Sequence, residues 1–139
     1  MAFKFAQITD SHLYARMPEP DRDHRDRVFR EIWQEVLAHD VDLVVHTGDF
    51  VNGGEPPASH RRFRELCHAI AAEAGVGFHV VRGNHDATVQ MPDATYADVH
   101  GEGTYLVHHK GWAFLGIDRY WGCYEHTQHA YAMSPETID

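Results

Sequence analysis

The run Val41-Asp42-Leu43-Val44-Val45, apolar but for one aspartate and closed by His46-Thr47-Gly48-Asp49, limits the folds open to this chain more than any other stretch. A strand with one wet face alternates polar and apolar residues. One covered on both faces does not, and that is the position of a central strand in a parallel sheet. Parallel neighbours cannot be joined by tight turns, so the sequence must supply a crossover on each side. It does. From about Asp21, Val28, Phe29, Ile32, Trp33, Val36 and Leu37 recur at steps of three and four behind an acidic start, which predicts an amphipathic helix. After the turn Asn52-Gly53-Gly54-Glu55-Pro56-Pro57, the residues Phe63, Leu66, Cys67, Ile70, Ala71 and Ala74 predict a second helix, stopped by Gly75.

Strands are predicted at both ends of this unit. Phe3, Phe5 and Gln7-Ile8 form the first, ending at Thr9-Asp10-Ser11-His12, and residues 77–81 form the third, ending at the glycine-hinged turn Gly83-Asn84-His85-Asp86. Strand, helix, strand, helix, strand is an α/β pattern with a parallel-centred sheet and flanking helices. Residues Thr104 to His108 and Trp112 to Asp118 predict a hairpin turning at His109-Lys110-Gly111, and Arg119 to Met133 reads as loop. Ser134-Pro135 reads as an N-cap and first helical residue, a helix start that runs only to Asp139, so the expectation is a single domain over 1–139, incomplete at its carboxy terminus.

Composition excludes several classes. The chain has 139 residues, 43% of them apolar, enough for a core without disulfide staples, and its two cysteines, Cys67 and Cys123, make no framework. Twelve basic residues against 21 acidic ones give a net charge of −9, which disfavours a nucleic-acid partner gripped through many phosphates but permits a local anion site where metal ions supply the positive charge. The amino terminus has no leader-like apolar run and no stretch long enough to span a membrane, so a cytoplasmic protein with no membrane partner is expected.

Ligands of parallel sheets gather at the carboxyl ends of the strands. There lie Asp10-Ser11-His12, Gly48-Asp49-Phe50-Val51-Asn52 and Gly83-Asn84-His85-Asp86. Each alone also fits a turn in which Asp or Asn bonds its own backbone. The spacing of Asp10 and His12 recurs in Asp98-Val99-His100 with no comparable strand before it, so that pattern is weak by itself. Together, the three strand ends bring carboxylate, imidazole and amide oxygen to one edge, the donor types that hold divalent ions, and Asp49 on the middle strand could bridge two.

In this order and placement, Asp10-x-His12, Gly48-Asp49-x-x-Asn52 and Gly83-Asn84-His85-Asp86 resemble the first three motifs of the calcineurin-like metallophosphoesterases. Gln7-Ile8-Thr9-Asp10-Ser11-His12 and the Asn-His-Asp form are most similar to the bacterial members that cleave cyclic nucleotides and other phosphodiesters. The resemblance implies half of a four-layer α/β/β/α sandwich, truncated before its carboxy-terminal half. It implies two divalent ions, Mn, Fe or Zn, with Asp10, His12 and Asp49 on the first and Asp49 and Asn84 on the second. The ions, roughly 3.5 to 4 Å apart, would activate a bridging water for in-line attack on a small phosphate ester such as a cyclic nucleotide. His85 would stabilise or protonate the leaving oxygen and Asp86 would orient its imidazole.

The family's pattern continues with an isolated His and a Gly-His-x-His, and neither is present. His108, His109, His126 and His129 are the substitutes the sequence offers. A homo-oligomer would cover the apolar face that a missing half-sandwich leaves. A module that keeps the fold but serves binding or regulation is the alternative to an enzyme.

Overall fold

The computed structural model describes residues 3–88 and 91–117. Three parallel strands form its centre in the order β1-β2-β3, with β1 at Phe5–Ile8, β2 at Leu43–His46 and β3 at Gly77–Val80. The apolar run of the sequence is the middle strand, as its lack of alternation requires. Phe5, Leu43 and Gly77 share one register row and Ile8, His46 and Val80 another.

Both crossovers are helical, α1 at Glu19–Leu37 and α2 at Pro57–Ala74. Since β1, β2 and β3 advance across the sheet in one direction, crossovers of one hand place both helices on the same face. The core shows it. Phe29 and Trp33 of α1, and Phe63, Cys67 and Ala71 of α2, pack with Ile8, Val44 and Phe78 into one buried cluster. Gly75 ends α2 in the left-handed conformation (φ 69°), where a residue with a Cβ would be strained.

The opposite face carries Phe5, Leu43 and His79. It meets a hairpin of β4, Tyr105–His109, and β5, Trp112–Gly116, antiparallel with His109 opposite Trp112. Phe114 packs edge-on to Phe5 at 5.4 Å, and Tyr105 lies 5.4 Å from His79. Leu106, Trp112 and Leu115 of the hairpin remain exposed, at 58%, 59% and 62%.

The helices differ from the sequence reading. Helix α1 begins at Glu19, two residues earlier than expected, and Val28 and Ile32 of its apolar stripe are exposed. A third helix, α3 at Asp93–His100, occupies a stretch where no helix is legible. It buries Tyr96 and Val99 with Met91 in a small satellite cluster. Asp118, His126, His129 and the Ser134 segment lie outside the described residues.

Candidate metal centre

The first two motifs run side by side beyond the strand ends. Asp10 N–H donates to Gly48 O (3.0 Å), His12 N–H to Asp49 O (3.0 Å), Leu13 N–H to Phe50 O (3.1 Å), and Asn52 N–H to Leu13 O (2.8 Å). Along this ladder Asp10, His12 and Asp49 adopt positive φ of 53°, 43° and 51°. Left-handed backbone at residues with a Cβ is strained, and such strain persists only where the surroundings impose it, commonly at functional sites.

The side chains converge. His12 Nε2 lies 3.7 Å from Asp10 Oδ1 and 3.7 Å from Asp49 Oδ2. Donor atoms of His12, Asp49 and His85 all fall within 4.8 Å of one another, the one such group among the described residues. Two donors on one ion, each about 2.1 Å from it, lie roughly 3 to 3.5 Å apart, so the His12–Asp10 and His12–Asp49 pairs each need close by only a few tenths of an ångström to share a divalent ion. Asp10, Asp49 and Asn84 line a common cleft of about 340 Å³, with Arg82 and Ile117 on its wall. All four residues predicted as ligands are therefore at one edge of the sheet.

The third motif is locked onto the second. Gly83 sits against Asp49, and the His85 backbone N–H donates to Asp49 Oδ1 (2.9 Å), which leaves Oδ2 facing His12. The His85 ring stands edge-on to the His12 ring at 4.7 Å. Its Nδ1 accepts the Gly53 N–H (3.1 Å). A neutral imidazole that accepts at Nδ1 carries its proton on Nε2, so His85 presents a proton donor and no free lone pair.

Asp86 does not orient that ring, contrary to the sequence reading. Its carboxylate is 1% exposed and accepts three backbone N–H groups: Phe50 (3.2 Å) and Gly83 (2.9 Å) at Oδ2 and Val51 (3.1 Å) at Oδ1. Asp86 thus ties the third motif to the backbone just past Asp49, while Gly53 holds the imidazole. Burial pushes the Asp86 carboxyl up from the ordinary carboxylate range, against the pull of the three N–H donors.

Two supporting residues had no signal in the sequence. His46, at the end of β2, is 1% exposed, and burial lowers its pKa to about 4, so it is neutral near pH 7. Its Nε2 lies 2.9 Å from Ser11 Oγ, which donates onward to Phe50 O (2.8 Å). Arg25 of α1 donates to the carbonyl of His12. Of the substitute histidines, His109 lines a different cleft with Asp42 and Gly75, at the amino-terminal end of the sheet. The hairpin turn therefore points away from the candidate centre.

Among the described residues, no helix is long and apolar enough to cross a membrane. The chain is 33% identical over 90 residues to a probable cyclic nucleotide phosphodiesterase of Psychrobacter arcticus, covering 59% of this chain and 30% of that protein. It is 33% identical over 82 residues to a cAMP/cGMP dual specificity phosphodiesterase of Mycobacterium tuberculosis, covering 59% and 24%. Against the DNA double-strand break repair protein Mre11 of Sulfurisphaera tokodaii it is 33% identical over 84 residues, 58% of this chain and 21% of that one. The matches thus span less than a third of the length of these curated relatives. The calcineurin-like phosphoesterase model matches residues 3–133, a span that takes in every strand end described above, and the chain belongs to that family.

Proposed function

We propose that this chain supplies the ligands and the leaving-group hydrogen-bond donor of a metal-dependent phosphoesterase that cleaves phosphodiesters with water. The observation that carries the reading is the approach of His12 Nε2 to both Asp10 and Asp49, 3.7 Å each, beside the His85 ring. Asp10, His12 and Asp49 would hold one divalent ion, and Asp49 with Asn84 a second. Bound there, such ions supply Lewis acidity toward phosphoryl oxygen and water.

The remaining work falls to the chain's own groups. His85, with its proton on Nε2, hydrogen-bonds the departing oxygen and stabilises the charge that develops there, and Gly53 N–H keeps the tautomer. Asp86 holds the turn that aims His85, and Gly83 lets that turn close on Asp49. The names of two relatives favour a small phosphodiester such as a cyclic nucleotide as the substrate.

Titration with Mn(II), Fe(II) or Zn(II), followed by assay with an aryl phosphodiester, tests the reading. Two equivalents bound per chain, with binding and hydrolysis both lost in Asp49→Ala, are the expected result. Tight binding without turnover would favour a binding or regulatory module, and no binding would remove the metal centre altogether.

A further inference from the structure

We propose that His46 is a positioning residue that holds the Asp10–His12 loop in its left-handed form through the hydroxyl of Ser11. The inference rests on the metal-centre reading for its purpose, but its geometry stands apart from it.

Asp10 and His12 both have positive φ, and Ser11 lies between them. Two strained residues this close need an anchor, because an unrestrained loop would relax toward ordinary backbone. Ser11 is that anchor. Its hydroxyl donates to Phe50 O at 2.8 Å, and Phe50 O also accepts Leu13 N–H at 3.1 Å, so one carbonyl of the second motif takes two bonds from the first.

With its proton committed to Phe50 O, Ser11 Oγ can only accept from His46, 2.9 Å away. Neutral His46 must therefore carry its proton on Nε2. Its Nδ1 is then a bare acceptor, buried with no partner among the described residues. A leucine would fill this place against Phe50, whose ring lies 5.1 Å from that of His46, without leaving a buried lone pair unsatisfied. What a leucine lacks is the Nε2–H. The orphaned nitrogen is explained if the imidazole is kept for that donor, which links the end of β2, the first motif and the second motif in one line.

Three variants of the full chain test this: Ser11→Ala, His46→Leu and His46→Gln, the last keeping an amide donor near the Nε2 position. In the metal-free protein, backbone hydrogen exchange at His12 and Leu13 should quicken roughly five- to tenfold in Ser11→Ala and His46→Leu. Exchange at Val81, which bonds His46 O, should stay unchanged. His46→Gln should restore protection, and the Ser11→Ala, His46→Leu double variant should match Ser11→Ala alone, since His46 acts through that hydroxyl. Mn(II) affinity should follow the same order, falling roughly 10- to 100-fold in His46→Leu and recovering in His46→Gln.

Wild-type protection at His12 and Leu13 in His46→Leu overturns the proposal. So does a His46→Gln variant as unprotected as His46→Leu at equal melting temperature. Should His46→Leu fail to fold, Ser11→Ala with unaltered exchange overturns it as well. If the wild type binds no Mn(II) while the exchange pattern holds, the metal-centre reading fails and the clamp stands.

Discussion

Gly83 lies so close to Asp49 that a Cβ on it would sit 2.0 Å from the Asp49 amide nitrogen and 2.2 Å from Oδ1. Backbone, not a flexible side-chain tip, blocks that space, so no rotamer change relieves the contact. A Cβ on Gly48, whose φ is 111°, would meet the same crowding from the other side, 2.8 Å from Gly83 Cα. The two glycines let the second and third strand ends touch. Gly83→Ala must push Asp49 away from His12. A loss of about 1–3 kcal/mol in denaturant unfolding and failure to bind Mn(II) in titration are expected.

His85 and Asp49 should separate in their effects. If the His85 Nε2–H hydrogen-bonds the departing oxygen, His85→Asn lowers kcat by roughly 10²- to 10³-fold while metal stoichiometry stays that of the wild type. A substrate whose leaving group needs no such stabilisation should lose far less. Gly53→Ala is the indirect version, since its Cβ would stand 2.9 Å from His85 Nδ1 and displace the ring. Steady-state kinetics beside metal titration distinguishes the donor from a ligand, because loss of bound metal in His85→Asn would make it a ligand.

Asp86→Asn tests the tie between motifs. Three N–H groups point at the carboxylate, and an amide offers one oxygen to receive them, with its NH₂ turned toward at least one donor. A buried donor facing a donor costs about 1–3 kcal/mol, so the variant should unfold at lower denaturant than the wild type. Asp86→Asn should also loosen the Gly83 turn, seen as faster amide exchange at Phe50 and Val51.

How much of this was legible in the sequence follows from where the information lies. The central strand, both long helices and the three strand-end clusters are properties of local pattern, and Val44, Phe29 with Trp33, and Phe63 with Cys67 fall where periodicity puts them. Helix α3 has only Tyr96 and Val99 on its buried side, too few to set a period. Its Asp98 and His100 do not form a site: Asp98 pairs with Arg61, and His100 is turned toward His60. The bonds of Asp86 to Phe50 and Val51, the tautomer of His85 and the tie of His46 to Ser11 depend on contacts 32 to 36 residues distant in sequence, which no local pattern encodes.

Acid should destabilise this protein in a window that the buried histidines define. Burial lowers the pKa of His46 to about 4 and of His60 to about 4, and burial with neighbouring His60 and Arg64 lowers His100 to about 3. Their unfolded value is near 6.5, so above that pH neither state binds the protons and stability is intact. Below pH 6.5 the unfolded chain takes protons that the folded chain refuses, and stability is lost as pH falls toward 4. Each such histidine contributes a slope of about 1.4 kcal/mol per pH unit, and His60 with His100, sharing one contact at 3.2 Å between α2 and α3, act as a pair. A domain of this size has about 5–15 kcal/mol in all, so two or three such histidines remove a large share of its stability within the window. Denaturant melts at pH 7, 6, 5 and 4.5 should show the slope, and His100→Phe, which keeps an aromatic ring against Phe50 and Tyr96, should make it shallower. An unchanged slope in that variant would mean that other groups take up the protons.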